Sequence, residues 1–220
     1  MLPHLPKGLA PVSGRPFLSF ILEQLRASGV RRTILCTGYM GDAIRGCFGP
    51  FFGDMELVYS HEAEPLDTGG ALRLALPHMD TDTVLVLNGD TYVHTDLPAF
   101  AASYDRKVRR AQILLVHKED TARYGRICLD SDDAVTAFAE KGVSGPGWIS
   151  AGIYLMDRAV VRDIPESKPV SIEKTVFPSL IGHGLFAVRT NGGMIDIGTK
   201  ESYQKAEAFL SGLGGISALS

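Results

Sequence analysis

The eight residues from Thr83 to Asp90, TVLVLNGD, constrain the fold more than any other stretch of the chain. Thr83 to Leu87 reads as a strand that is apolar throughout, and such a strand is expected to be buried on both faces, as in a parallel sheet covered by helices. Its carboxyl end carries Asn88, Gly89 and Asp90, and in open α/β sheets ligands bind in the crevice beyond those ends. Asp90 is therefore placed to hold Mg2+ on a phosphate group. The competing reading is an aspartate that caps its own loop, a position turns favour.

The flanking pattern supports such a sheet. Residues 16–28 place Phe17, Phe20, Ile21, Leu22 and Leu25 at helical spacing, with Pro16 in the first turn and Gly29 as the stop. A short apolar run at 34–37, a weaker helix at 41–48, a strand at 55–60 and a helix at 68–77 follow. After the strand at 83–87 come a helix at 96–107 and a strand at 111–116, so this half alternates strand and helix with short connections. Beyond residue 117 the rhythm becomes α+β, with strands at 125–129, 134–139 and 147–155, a helix at 171–180, two short strands and a last helix at 200–210. This half is expected to build one wall of a cleft. The expected organisation is one domain over 1–211, with halves of about 1–116 and 117–211, and a small-residue tail, 212–220, that frays.

Composition narrows the function. With 220 residues, 45% of them hydrophobic, the chain can build a core that needs neither disulfide nor structural metal. Cys36, Cys47 and Cys128 stand far apart in no metal or redox pattern, which reads as reduced thiols in a cytoplasmic compartment. The six histidines form no i, i+4 pair, which argues against zinc, and the lack of a G-x-S-x-G elbow argues against a covalent hydrolase. A net charge of −3 with dispersed Lys and Arg argues against a nucleic-acid partner, while local clusters can still take anionic small molecules. No run reaches the length of a membrane span, and the opening MLPHLPKGLAPV has no secretory apolar core.

Four further segments can carry chemistry. Asp196 sits between Ile195 and Ile197, where an inward-facing acid is costly unless it is paired or ligates a cation. It could share one metal with Asp90, or point outward, or cap the helix after Thr199. Asp67, Thr68, Gly69 and Gly70 precede a helix, where glycines let a flat or anionic ligand approach the backbone; the alternative is a tight turn capped by Thr68. Glu140 and Lys141 lie at a strand edge, one suited to sugar hydroxyls and the other to a phosphate, or both simply solvated. Lys7 is a cation in a proline-framed loop.

In order, LPKGLAPVSGRPFL, TGY, EPLDTGGAL, VLNGDTY, YGRI, EK, SAGIYL and IDIGT-x-E-S-Y resemble the sugar-1-phosphate nucleotidyltransferases, and within them the heptose 1-phosphate guanylyltransferases, from about Leu5 to Tyr203. The resemblance implies a Rossmann-like, GT-A-like fold with a mixed, mainly parallel sheet flanked by helices. The substrates would be an NTP, with GTP favoured, and a sugar 1-phosphate, with D-glycero-D-manno-heptose 1-phosphate favoured. It further implies that Asp90 and Asp196 hold Mg2+, that Lys7 neutralises phosphate charge, and that Leu66, Thr68, Gly69, Gly70, Asn88 and Gly89 line the nucleotide. Lys141 would pair with the sugar phosphate, Glu140 would take sugar hydroxyls, and Gly125 would let the sugar approach the backbone.

The chain departs from the family pattern in three places. Relatives open with a strand and a loop of the type L-A-G-G-x-G-T-R-L that cradles the triphosphate, and nothing in residues 1–8 replaces it. That strand is central in the family's sheet, so its loss leaves buried backbone groups unsatisfied at about 1–3 kcal/mol each. The expectation is therefore a start placed downstream of the native one, or a trimmed chain, rather than a naturally loopless enzyme. The family's Lys-Pro and Glu-Lys-Pro become Lys7-Gly8 and Glu140-Lys141-Gly142, and the Asn that precedes A-G-I-Y becomes Ser150, so a sugar contact is shortened or lost. Two alternatives follow: a uridylyl or thymidylyl transferase acting on another hexose 1-phosphate, and a non-catalytic nucleotide-sugar-binding module. A homo-oligomer is compatible with either.

Overall fold

The structure, a computed structural model, describes residues 5–139 and 142–212. A 3-10 turn, Lys7–Leu9, leads into a hairpin of β1 (Pro11–Val12) and β2 (Arg15–Pro16). Helix α1, Phe17–Ala27, buries Phe17, Phe20, Ile21, Leu22 and Leu25 and ends where Gly29 turns to φ +86°. Then come β3 (Arg32–Thr37), α2 (Gly41–Phe48), β4 (Phe51–Phe52), β5 (Met55–His61), α3 (Asp67–Ala75), β6 (Thr83–Leu87) and β7 (Thr91–Val93). Next are α4 (Leu97–Ala102), β8 (Ala111–Lys118), β9 (Ile127–Leu129), β10 (Val135–Phe138), β11 (Gly147–Asp157) and α5 (Arg158–Arg162). A π-helical turn, Ile172–Val176, runs into α6 (Phe177–Ser179), followed by β12 (Leu185–Thr190), β13 (Met194–Asp196) and α7 (Lys200–Gly212).

Two elements are shorter or more broken than their apolar spacing suggests. The helix expected over 96–107 ends at Ala102, because the Asp105 carboxylate accepts the Lys107 N–H at 2.9 Å and turns the chain. The helix expected over 171–180 opens with a π turn, and Pro178 has no N–H to offer the turn before it.

The main sheet has the order β12-β8-β11-β6, and a second has the order β3-β5-β4. The architecture is α/β with mixed sheets, as expected, but the parallel share is smaller. Among the described residues only β3–β5 and β12–β8 pair in parallel, because β11 enters antiparallel between β8 and β6. Alternate residues of β8 face two apolar layers. Leu114 and Val116 pack with Phe17, Leu22, Ala206 and Leu210, while Ile113 and Leu115 pack with Tyr154, Met156 and Phe177.

The expected burial of β6 on both faces is corrected by the structure: only Val86 is buried, and Val84, Leu85 and Leu87 are half-buried. The reason is a cavity of about 1070 Å3 alongside the strand, with β3 on its other side. Glu140, Lys141 and residues 213–220, most of the expected tail, lie outside the described residues.

Phe17, at the start of α1, is fully buried in the core layer that also holds Leu114 and Val116 of β8. Phe17→Ala is expected to cost about 3–5 kcal/mol, read as a lowered denaturant midpoint with an unchanged slope.

Candidate active site

The polar end of the molecule is assembled at the carboxyl end of β6. Asn88 is seated by β11, its N–H bonding to Gly152 O at 2.8 Å. Gly152 has φ +71° at a break in the β11–β8 register, and a Cβ there would lie 2.7 Å from Asn88 Nδ2, so both backbone and space demand glycine. Gly89 follows, exposed and with no atom within 4 Å of where a Cβ would stand, leaving its backbone open to an approaching group.

Asp90 comes next. Its carboxylate accepts from Lys7 Nζ at 3.1 Å, and its carbonyl accepts the Ile197 N–H at 2.9 Å. That second bond, together with the pairing of Thr91 with Asp196, sets the two acids on neighbouring strand ends. Lys7, Asp90 and Asp196 are thus gathered at one end of the sheets.

Asp196 is held inward, with 18% of its side chain exposed. Its carboxylate accepts from Tyr124 OH at 2.8 Å, Gly198 N at 3.1 Å and Ser202 Oγ at 3.3 Å, and Arg123 Nη2 stands 3.6 Å away. Burial alone would raise the pKa of this carboxyl, but these donors and the Arg123 charge outweigh it, holding the group below its ordinary value. Burial, reinforced by Asp196, pushes Tyr124 up to about 12. Lys118, half-buried with Nζ 3.4 Å from Met194 O, is shifted down by burial, and Asp196 opposes that shift. The ends of β6 and β13 thus carry two carboxylates with cations around them. This donor set suits Mg2+, which takes one or two carboxylates and completes its shell with water and phosphate oxygens.

The other candidates fall into different roles. Gly69 and Gly70 are buried against backbone, so they do not open a face to ligand: a Cβ on Gly69 would lie 2.7 Å from Val170 O, and one on Gly70 2.6 Å from Lys168 O. Gly69 N also donates to Val170 O at 2.8 Å, which removes one free N–H from the start of α3. Leu66 shares this clamp, its carbonyl accepting the Val170 N–H at 2.9 Å. Thr68 remains exposed and lines the cavity with Lys7, Asn88, Gly89 and Asp90, but it does not cap the helix. The residue ahead of Thr68, Asp67, takes a left-handed φ of +56°.

Gly125 lies beside Tyr124, and a Cβ on it would stand 3.1 Å from Ala139 O. Ser150 is engaged internally, its hydroxyl donating to Tyr154 OH and accepting from Gly152 N, both at 3.2 Å. Glu140 and Lys141 lie outside the described residues. Sequence reasoning missed Arg123, Lys118, Ser202, Tyr154 and Glu173. Glu173 is an exposed acid whose Oε1 accepts from the buried Tyr154 OH at 3.0 Å. Tyr124 and Tyr154 lay inside the quoted segments YGRI and SAGIYL, the only signal pointing to them.

This end of the sheet belongs to a known class of protein. Residues 3–212 match the nucleotidyl transferase family model, and the chain is a member of that family, with its α/β fold. It is 33% identical over 205 residues to D-glycero-alpha-D-manno-heptose 1-phosphate guanylyltransferase of Campylobacter jejuni, covering 92% of this chain and 90% of that relative. The enzyme of the same name from Aneurinibacillus thermoaerophilus is 32% identical, at 93% and 89% coverage. The crystal structure of HddC from Yersinia pseudotuberculosis superposes with a TM-score of 0.85 at 33% identity, covering 94% of this chain and 90% of that one. The protein is a nucleotidyltransferase, and no helix among the described residues is long and apolar enough to cross a membrane.

Two substitutions separate the roles. Tyr124→Phe removes a donor from Asp196, so its carboxyl titrates higher. A carboxyl held low when folded adds stability above its unfolded value near ~4, and that stability is lost as pH falls through the folded value. In Tyr124→Phe the loss is complete at higher pH and smaller in total, and stability at neutral pH drops by about 1 kcal/mol, measured by denaturation across the acid range. Gly70→Ala is expected to cost about 1–3 kcal/mol by pressing on the Lys168 carbonyl, seen as a lowered midpoint without ligand.

Proposed function

We propose that the protein transfers a guanylyl group from GTP to D-glycero-D-manno-heptose 1-phosphate in the cytoplasm, giving GDP-heptose and pyrophosphate. The observation that carries this reading is the match to two heptose 1-phosphate guanylyltransferases over more than nine-tenths of this chain, at about nine-tenths of each relative's length. A mannose-1-phosphate guanylyltransferase from Mycobacterium tuberculosis is 31% identical but is spanned over only 58% of its length. HddC from Yersinia pseudotuberculosis has been crystallised in complex with GMP-PN, which supports a guanine nucleotide here.

In this reading a sugar phosphate oxygen forms a bond to the α-phosphorus of GTP as the bond to the β-phosphate bridge breaks, and pyrophosphate leaves. Asp90 and Asp196 would hold Mg2+, which supplies charge neutralisation at the phosphates. Lys7 and Arg123 sit where polyanion charge collects and would move from the carboxylates to phosphate oxygens. Gly89 gives the nucleotide access to backbone, and Asn88 and Thr68 flank it. Lys141 would pair with the sugar phosphate, Glu140 would take sugar hydroxyls, and Glu173, fixed by Tyr154, would accept a further sugar hydroxyl. The work is positioning and electrostatics, with no covalent intermediate.

The test is pyrophosphate release with Mg2+ across a panel of GTP, UTP and dTTP against heptose, mannose and glucose 1-phosphates. GTP with the heptose phosphate is expected to lead, and Asp90→Asn to lower that rate by about 100-fold or more. A lead for UTP or dTTP overturns the guanylyl reading; binding of GDP-sugar without turnover of any pair favours a binding module.

A further inference from the structure

Tyr39 closes the segment TGY and stands 83% exposed, an aromatic ring held out in solvent by a turn with little freedom. Met40, the next residue, takes a left-handed φ of +58°. The turn is packed on both sides: a Cβ on Gly38 would lie 2.6 Å from Glu62 Oε1, and one on Gly41 would lie 2.9 Å from both His61 Nδ1 and Thr37 Oγ1. Strained backbone at an exposed aromatic is a feature that folding alone does not ask for.

Asp67 shares both properties. Its φ is +56°, uncommon for a residue with a side chain. It is exposed, and no hydrogen bond or ion pair engages its carboxylate among the described residues. The residues around it are clamped, Leu66 O accepting from Val170 N at 2.9 Å and Gly69 N donating to Val170 O at 2.8 Å. Glu62 fastens this loop to the Tyr39 turn: its N–H donates to Thr37 O at 2.8 Å, and its Oε2 accepts the Leu66 N–H at 3.1 Å. Tyr39 and Asp67 line the same cavity as Thr68, Asn88, Gly89 and Asp90.

A fixed aromatic ring and an open carboxylate suit one class of base. The ring offers a face for stacking, which every base accepts. The carboxylate discriminates, because guanine presents N1–H and its N2 amino group side by side and two carboxylate oxygens accept both. Uracil and thymine present one N–H between two carbonyls, and adenine an unprotonated N1, so each of them sets lone pairs against the carboxylate. We infer that Asp67 reads the hydrogen-bonding edge of guanine while Tyr39 stacks on the base, which makes these two residues the determinants of base specificity. The inference rests on the guanylyl reading and adds to it the side chains that choose the base.

The test is calorimetric binding of GTP, ITP, XTP and UTP to the full chain with Mg2+ and without sugar phosphate. ITP lacks the N2 amino group, and XTP carries a carbonyl in its place. The unsubstituted chain is expected to bind GTP tightest and ITP about tenfold or more weaker. Asp67→Asn keeps a side chain that tolerates the left-handed φ, so the fold is retained. It is expected to weaken GTP by about tenfold or more and to bring XTP ahead of GTP, since the amide donates to the xanthine carbonyl. Tyr39→Ala is expected to weaken GTP and UTP alike by about tenfold, with an unchanged denaturant midpoint, and Tyr39→Phe to bind as the unsubstituted chain does. If Asp67→Asn keeps GTP ahead of XTP, or Tyr39→Ala keeps full GTP affinity, the inference is overturned while the guanylyl reading stands. UTP ahead of GTP in the unsubstituted chain, or no binding of any of the four, overturns the inference together with the guanylyl reading.

Discussion

The ladder between β11 and β6 is the contact on which the rest of the molecule depends. β11 pairs with β8 on one side and β6 on the other, so it ties the apolar centre to the strand that ends in Asn88, Gly89 and Asp90. Where the β11–β8 register breaks, Gly152 makes room for Asn88 and its carbonyl takes the Asn88 N–H. The direction in which β6 hands over to its acidic end is thus set by a neighbouring strand. The acid itself is held by Lys7, by the Thr91 hydroxyl and by the backbone of Ile197.

The electrostatics there are those of a site that stores its countercharges. Asp90 rests against Lys7, and Asp196 against Arg123, Tyr124 and Ser202. The Lys7–Asp90 pair is exposed enough for water to screen it, so it opens at small cost. Asp196 is better sheltered, and its depressed pKa keeps it ionised into mild acid. One carboxylate is easily recruited and the other is held in place by its donors.

Local signals were legible in the sequence; spatial neighbours were not. The apolar spacing of Phe17 to Leu25 and the run from Thr83 to Leu87 announce α1 and β6 because each element's pattern is its own. Asp90 and Asp196 were legible as two acids at strand ends. The placing of β11 between β8 and β6 was not, because antiparallel insertion leaves no mark in local periodicity. Gly69 and Gly70 misled for a related reason: a glycine that admits a ligand and one that admits the Lys168–Val170 backbone look alike in a sequence. Arg123 resembles any surface cation until Asp196 is seen 3.6 Å away.

Helix α7 adds a connection of another kind. Ser202 lies in its first turn, donates to Asp196 and shares a reciprocal set of bonds with Thr199, while Tyr203 OH bonds to Pro11 O in the opening hairpin. The last helix is therefore a strut whose upper end is anchored on a group of the candidate site and on the first strands of the chain. Whatever draws the Asp196 carboxylate away from Ser202 loosens that anchorage, and by reciprocity whatever stiffens the anchorage alters how readily the carboxylate is given up. The β1–β2 hairpin and α7 are thus linked to the charge at the candidate site.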